Sequence, residues 1–470
     1  MKKILFFHCH FCIFALQDML FALAQGCFSI FMRMFRRFDK LEKPRRPRPK
    51  RPEVPREVFE ARIEKMVQGG EGMARLADGR VCFVAGALPG ELCKVAVTFT
   101  KKDFARGHVV EVLEGANPDR VEARCPLYGK CGGCSLQHLD SEKQAEYLAQ
   151  VERENFRRIA RIELPESFIV HTGPAWGYRN RARVVVVCDQ AGDKPIVRFG
   201  FRKQESNSVA LFKNCPVLTP ALNEFLQGKA REIFAGKFRP GREMEVNLFD
   251  NGAGEISYYY EGMPAREFSE NAVSVAEICG KKIEADAGVF FQSNLALLPA
   301  LVQSVRDAVD EGLASGESSD EWLIDLFSGV GFFAAMLLDK FKRVTTVERE
   351  EKCLKHAEVN LSASRETADG KNVAAIENVS APAEEWLAQN VVDIPATLIV
   401  DPPRTGLPKE ALDAIAASSV NRLIYVSCHP VTLARDTALL AEKGFKIRRA
   451  EAFAFYPQTP HLEMMLVLAR

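Results

Sequence analysis

The chain has 470 residues, 47% of them hydrophobic and 27% charged, with a formal net charge of +1. That composition excludes a largely disordered chain, leaves room for roughly three domains, and excludes a global electrostatic field for nucleic acid, so affinity for phosphate must come from local patches. The 13 cysteines are odd in number and scattered, which argues against a secreted disulfide framework and for metal ligation or catalysis in a reducing, cytoplasmic compartment.

The first 31 residues open like a signal peptide, MKKILFFHCHFCIFAL, with Ala22-Leu23-Ala24 resembling a small-residue cleavage site. Gln17, Asp18 and Gln25 interrupt the apolar run, and an Asp at a bilayer centre costs about 2.5–3.5 kcal/mol, which counts against a membrane anchor. His8, Cys9, His10 and Cys12 are spaced too tightly for a standard zinc site. Met32 or Met34 opens MRMFRRFDK as an alternative start, so the active protein is expected to lack residues 1–31. Residues 43–56, KPRRPRPKRPEVPR, read as a basic linker or solvated tether. Residues 1–57 thus form an extension and linker ahead of the first folded module.

Over 58–115, VFEARIEKMV, RVCFVAGAL, ELCKVAVTFT and RGHVVEVLE are strand-like and separated by Gly-containing turns. Such spacing predicts a small five-stranded barrel of the oligonucleotide-binding type, with Arg80, Lys94, Lys101, Lys102 and Arg106 available to phosphates.

The central part, 116–285, begins with CPLYGKCGGCSLQHL, where Cys125, Cys131 and Cys134 stand as C-x5-C-x2-C. Cys215, in KNCP, is a fourth candidate ligand, and four thiolates suit zinc or an iron–sulfur cluster. Cys82, Cys93, Cys188, Cys279 and Cys353 lack such partners and are assigned to cores. A helix is expected over 141–165, and strands over 178–212 and 243–262. Arg179, Arg181 and Arg183 alternate along YRNRAR and would share one face, either solvated or gripping RNA.

The last part, 286–470, alternates strands and helices as an open α/β sheet does. EWLIDLFSGVGFFAAMLL is a strand, a Gly-containing turn and a helix, with Asp325 near the strand end and Gly329 and Gly331 in the turn. The next strand ends in Glu348, placed to bind ribose hydroxyls. Ala334 stands where a dinucleotide fingerprint would have its last Gly, so the pattern favours S-adenosylmethionine over a nicotinamide cofactor. ATLIVDPPRTGL brings Asp401 to a further strand end, RLIYVSCHPVTLARD brings Cys428 to the next, and YPQTPHLE leads Glu463 into a final strand. A Cys in a turn at a strand end, fixed by the proline two residues on, is a candidate nucleophile; a lone Cys is more often a small core residue.

Taken together, GEGMARLADGR, VAGALPGE, CPLYGKCGGCSLQHL, FFQSN, DLFSGVG, DPPRTGL, SCHPVTLARD and YPQTPHLE resemble the RNA uracil-5-methyltransferase family, in its bacterial ribosomal-RNA branch with an amino-terminal TRAM barrel. The resemblance runs from about Val58 to Arg470. It implies a multidomain α/β protein with a TRAM/OB-like barrel, a central β-rich iron–sulfur domain and a Rossmann-like class I methyltransferase domain. It implies a [4Fe-4S] cluster on Cys125, Cys131, Cys134 and Cys215. It also implies contacts to S-adenosylmethionine from Gln292, Asp325, Phe327, Gly329, Gly331, Glu348 and Asp401. Cys428 matches the family's nucleophile and Glu463 its general base. The chain departs from the family pattern at His429, where Asn is usual; at Phe332, where a polar residue is usual; and at Ala454 and Tyr456, where Asp and Phe are usual.

The implied chemistry explains the residue types. Carbon 5 of uracil is a poor nucleophile until a thiolate adds to carbon 6, and a base must later remove the carbon-5 proton. The Cys428 pKa is therefore expected to be lowered by its surroundings. The implied partner is RNA, most consistent with 23S rRNA, with the target uridine flipped from its stack; no membrane and no obligate protein partner is expected. Competing readings are a tRNA uridine-5-methyltransferase, an amino methyltransferase using the Asp-Pro-Pro loop, and a non-catalytic iron–sulfur RNA-binding protein.

Overall fold

A computed structural model describes residues 57–191, 194–366 and 375–470. The expectations for residues 1–56 lie outside the described residues.

Five strands close the first barrel: β1 (Val58–Val67), β2 (Glu71–Arg75), β3 (Val81–Ala85), β4 (Leu92–Thr100) and β5 (Phe104–Glu114), in the order β1-β2-β3-β5-β4. The alternation in sequence dictates which side faces in. Ile63, Cys82, Val84, Cys93, Val95 and Ala105 fill the barrel, while the intervening residues of each strand point outward. Neighbouring strands are antiparallel apart from β3 and β5, which run parallel with Phe83 opposite Arg106.

After the barrel, a helix covers Gln144–Asn155 and passes into a π-helical turn, Phe156–Ala160. The helix is shorter than the sequence pattern predicts. Leu148, Val151 and Phe156 pack into the same core as Leu398, Tyr425 and Leu466 of the carboxyl-terminal sheet.

A second sheet has the order β11-β10-β7-β8-β9. Its strands are β7 (Arg181–Ala191), β8 (Lys194–Arg202), β9 (Val209–Phe212), β10 (Glu243–Asp250) and β11 (Ile256–Tyr260). Short β6 (Ile169–His171), which precedes β7, pairs elsewhere, as described below. Helices Pro220–Gln227 and Lys229–Ala235 cover this sheet through Leu222, Phe225, Leu226 and Phe234. The expected face of three arginines does not form. Arg181 is buried, with its guanidinium over Phe249 and donating to the carbonyls of Asp286, Ala287 and Val289, whereas Arg183 is exposed. Period-two spacing gives a shared side of the strand but cannot say that another segment covers part of it.

A hairpin follows, β12 (Val273–Ile278) and β13 (Lys281–Asp286). Cys279, expected in a core, is exposed in its turn with φ of +51°. Cys82, Cys93, Cys188 and Cys353 are buried.

The last sheet has eight strands. Beyond β6 these are β14 (Trp322–Leu326), β15 (Arg343–Glu348), β16 (Ala375–Ser380), β17 (Thr397–Val400), β18 (Arg422–Ser427), β19 (Lys446–Phe453) and β20 (Glu463–Ala469). Their order is β16-β15-β14-β17-β18-β20-β19-β6. β14 to β18 are parallel; β20 is antiparallel to both β18 and β19, and β6 lies parallel to β19. Apolar residues of both faces are buried beneath helices, which is why β14, β17 and β18 read as continuous hydrophobic runs. The chain departs from β14 in both directions across the sheet, which opens a crevice at the carboxyl ends of these strands. Among the described residues, no helix is long and apolar enough to cross a membrane.

Candidate active site

The crevice holds a cavity of about 1090 Å³. Gln292, Phe327, Gly329, Glu348, Asp401, Cys428 and Glu463 all line it. Asp325 and Gly331 are not in its wall and act on the turn that forms it. Local chemistry explains how each arrives there. After β14 the backbone turns through Phe327 at φ +61° and Gly329 at φ +53°. Gly331, at φ +73°, packs so closely on helix Glu351–Glu366 that a Cβ would lie 2.9 Å from that of Ala357. Both oxygens of Glu348 are engaged by the loop: Gly329 N–H donates at 3.0 Å and Glu350 N–H at 2.8 Å. Glu348 therefore shapes the turn as well as facing the cavity.

Asp325 is wholly buried; one oxygen accepts from Ala334 N–H at 3.0 Å and Oδ1 has no partner. Burial, with Asp401 and Glu348 nearby, raises its pKa to about 8 despite that amide. Burial also raises the pKa of Asp401 to about 7. Glu463 is 2% exposed, its Oε1 has no partner, and burial together with Asp401 lifts its pKa well above the usual range. A site walled by carboxyl groups and holding unpaired buried oxygens on Gln292, Ser328 and Glu463 suits a cationic ligand with hydroxyl and amino donors. The residues present thus fit S-adenosylmethionine.

Cys428 and Glu463 are brought together by strand register. Ser427 on β18 pairs with Met464 on β20, so the residues just beyond them, Cys428 and Glu463, face one another at the sheet edge. The thiol is half-buried, and its pKa is raised to about 12 by burial first, then by Glu463 and Asp401; Arg404 opposes them. This corrects the expectation of a lowered pKa. The sequence shows a cysteine at a strand end but not the two carboxyl groups that converge on it.

His429 takes over a task suited to the Asn usual at its position. It caps helix Pro430–Glu442, its Nδ1 accepting from Thr432 N–H at 3.4 Å. Asn is a favoured N-cap, and a neutral imidazole can supply the same acceptor. Burial and Arg404 lower the His429 pKa, which keeps the ring neutral. Asp436 on that helix anchors the Asp401 loop, accepting from Leu407 N–H and Tyr425 O–H at 2.8 Å each.

The cysteine loop reaches this site through the backbone. Ser135 and Leu136 N–H both donate to the Gln458 carbonyl at 3.0 Å, and Gln458 lies in the loop that ends at Glu463. Thiols Cys125, Cys131, Cys134 and Cys215 are free and partly exposed. They are neighbours: Cys125 and Cys131 each raise the pKa of Cys215, and Cys131 and Cys215 that of Cys134. Gly133 N–H donates to Cys131 Sγ at 3.4 Å. Among the described residues, no group of three or more His, Cys, Asp or Glu is arranged to hold a metal ion.

Several wall residues were not singled out in the sequence as site residues. Arg404 and His461 meet at the mouth, 3.3 Å apart, and Arg404 stood in plain view in the Asp-Pro-Pro-Arg run. Gly70, Glu71 and Arg106 of the barrel also line the cavity. Gly70 and Glu71 open GEGMARLADGR and Arg106 is a predicted phosphate contact, but their place in this wall depends on how the barrel rim meets the crevice; at Gly70 a Cβ would approach Leu136 to 2.7 Å and Pro460 to 3.2 Å.

Comparison with known proteins decides the family. The tRNA (Uracil-5-)-methyltransferase family profile matches residues 270–470, and the TRAM domain profile matches residues 52–110. The chain is 32% identical over 455 residues to the 23S rRNA (uracil(1939)-C(5))-methyltransferase RlmD of Methylococcus capsulatus, covering 89% of this chain and 98% of that one. The chain belongs to the RNA uracil-5-methyltransferase family. As a member it is an enzyme that uses S-adenosylmethionine to methylate carbon 5 of uracil in RNA. The enzyme of the same name from Vibrio parahaemolyticus is 30% identical, over 87% of this chain and 95% of that one. In fold, the chain is similar to Pyrococcus abyssi tRNA (uracil-54, C5)-methyltransferase, solved with S-adenosyl-L-homocysteine, with a TM-score of 0.63 and 22% identity over 87% of this chain and all of that one.

Proposed function

We propose that this RNA uracil-5-methyltransferase acts on 23S rRNA, through a covalent bond between Cys428 and a flipped uridine that Glu463 helps to undo. The observation that carries this reading is the meeting of Cys428, Glu463 and Asp401 in one cavity. The choice of 23S rRNA draws on the names of the relatives from Methylococcus capsulatus and Vibrio parahaemolyticus.

When bound, S-adenosylmethionine supplies the methyl group and a positive sulfonium charge. Gln292, Phe327, Gly329, Glu348 and Asp401 would hold it, and Asp325 and Gly331, behind the wall, would fix the turn that carries those contacts. A cation held among these carboxyls would make Cys428 and Glu463 lose their protons more readily, which would offset the anionic surround of the thiol. The Cys428 sulfur then bonds to carbon 6 of the uracil, and the ring becomes an enolate. Carbon 5 takes the methyl group as the bond from that methyl to the sulfonium sulfur breaks, leaving a neutral thioether, and carbon 5 is left bearing a hydrogen as well. Glu463 accepts that proton, the carbon–sulfur bond breaks, and the double bond between carbons 5 and 6 is restored. Flipping the base out of its stack gives the sulfur access to carbon 6.

Cys125, Cys131, Cys134 and Cys215 would hold a [4Fe-4S] cluster. That donor set rests on the family resemblance and on the four thiols being neighbours; among the described residues they do not converge on one metal position. Its role is structural, shaping the RNA-binding surface. Division of the chain into 1–57, 58–115, 116–285 and 286–470 accompanies this reading. Methylation of unmodified 23S rRNA and tRNA transcripts, with 5-methyluridine mapped, tests the substrate. Product in 23S rRNA is expected, and methylation of tRNA alone would contradict the assignment.

A further inference from the structure

The barrel's inner residues account for its stability, yet its outer face carries three clustered phenylalanines that no core explains. Phe83 and Phe104 have ring centroids 5.9 Å apart at 63°, and Phe99 and Phe104 are 5.9 Å apart at 46°. All three rings are partly exposed. Cations stand over them: Lys101 Nζ lies 5.8 Å from the Phe99 centroid and 5.6 Å from that of Phe104, and the Arg106 guanidinium lies 5.8 Å from Phe83.

We propose that Phe83, Phe99 and Phe104, with Lys101 and Arg106, form a stacking platform for bases of the RNA strand that flanks the methylated uridine. Resting on the reading that the substrate is RNA, the proposal adds a second place where that RNA is held. The platform is continuous with the active site. Arg106 lines the catalytic cavity as well as covering Phe83, and Phe104 follows on the same side of β5, two residues back along the strand, a step of about 7 Å. A strand leaving the cavity past Arg106 therefore meets aromatic rings next.

The chemistry fits single-stranded RNA better than a protein partner. Half-exposed rings offer faces to any base, and the adjacent Lys101, Lys102 and Arg106 match phosphate charge. Among the described residues no carboxylate pairs with Lys101, and Arg106 pairs with Glu71 at 3.7 Å. The platform reads stacking, not base edges, so it contributes affinity and register with little sequence preference.

The test uses the full-length enzyme with two RNAs. One contains only the loop around the target uridine, and the other extends it by single-stranded flanks. The double variant Phe99→Ala/Phe104→Ala is compared with Phe99→Tyr/Phe104→Tyr, which keeps the rings. For the extended RNA, the alanine pair is expected to raise KM about tenfold with kcat unchanged, and the tyrosine pair to restore it. For the loop alone, all three proteins should behave alike. An alanine pair with wild-type KM on the extended RNA would overturn the platform, as would equal losses on both RNAs. A wild-type enzyme that methylates neither RNA would overturn the underlying reading, and the platform with it.

Discussion

Cys428 follows the last residue of one strand of an antiparallel ladder and Glu463 begins the other, one step beyond the Ser427–Met464 pair. The sequence separates them by an α/β excursion, and the sheet returns them to the same edge. This suits a mechanism in which one side chain makes a bond and the other completes its release. Glu463→Gln keeps the shape and removes the base. Turnover should fall by about 10²–10⁴-fold while RNA–protein adduct accumulates in the presence of S-adenosylmethionine. Rapid release of methylated RNA by this variant would count against the role of Glu463.

The buried carboxyls give the enzyme a pH signature. Asp325 and Asp401 have pKa values raised to about 8 and about 7, mainly by burial. Between the unfolded carboxylate pKa and these values, the folded state binds more protons than the unfolded one. The contribution of these two carboxyls to the stability of the free enzyme should therefore fall as pH rises from about 4 to about 8. The cation of S-adenosylmethionine favours the ionised carboxylates, so its affinity should rise over the upper part of that window. Calorimetric titrations between about pH 6 and 8.5 would reveal this; an affinity that is flat with pH would refute it.

Gln144 and Gln458 make reciprocal amide bonds, at 2.8 and 3.1 Å, within a buried junction that joins the helix after the cysteine loop to the loop before Glu463. Gln144 also donates to the carbonyls of Leu136 and Leu139. Gln144→Leu leaves these buried groups unpaired and should cost about 1–3 kcal/mol. Denaturant unfolding would measure it, and a midpoint equal to that of the parent would contradict this accounting.

What was legible in the chain follows from chemistry that is local. Alternation in β3 and β4 displays a barrel, Gly331 marks a close backbone approach, and the apolar runs ending at Asp401 and Cys428 mark strands that deliver side chains to an edge. What was hidden depends on segments distant in sequence. The Val289 turn captures Arg181, the β12–β13 turn exposes Cys279, and the barrel rim supplies Gly70 and Arg106 to the cavity. The raised pKa of Cys428 belongs to the same class, because burial acts there together with the convergence of Glu463 and Asp401.

The most direct test of the central claim is the intact mass of the enzyme after incubation with S-adenosylmethionine and RNA carrying 5-fluorouridine at the target. Fluorine at carbon 5 leaves no proton for Glu463 to remove, so the adduct should persist, and peptide mapping should place it on Cys428. The Cys428→Ala variant should show no added RNA mass while still binding S-adenosylmethionine. A Cys428→Ala enzyme that still forms the adduct, or still methylates uridine at the parent rate, would contradict the account.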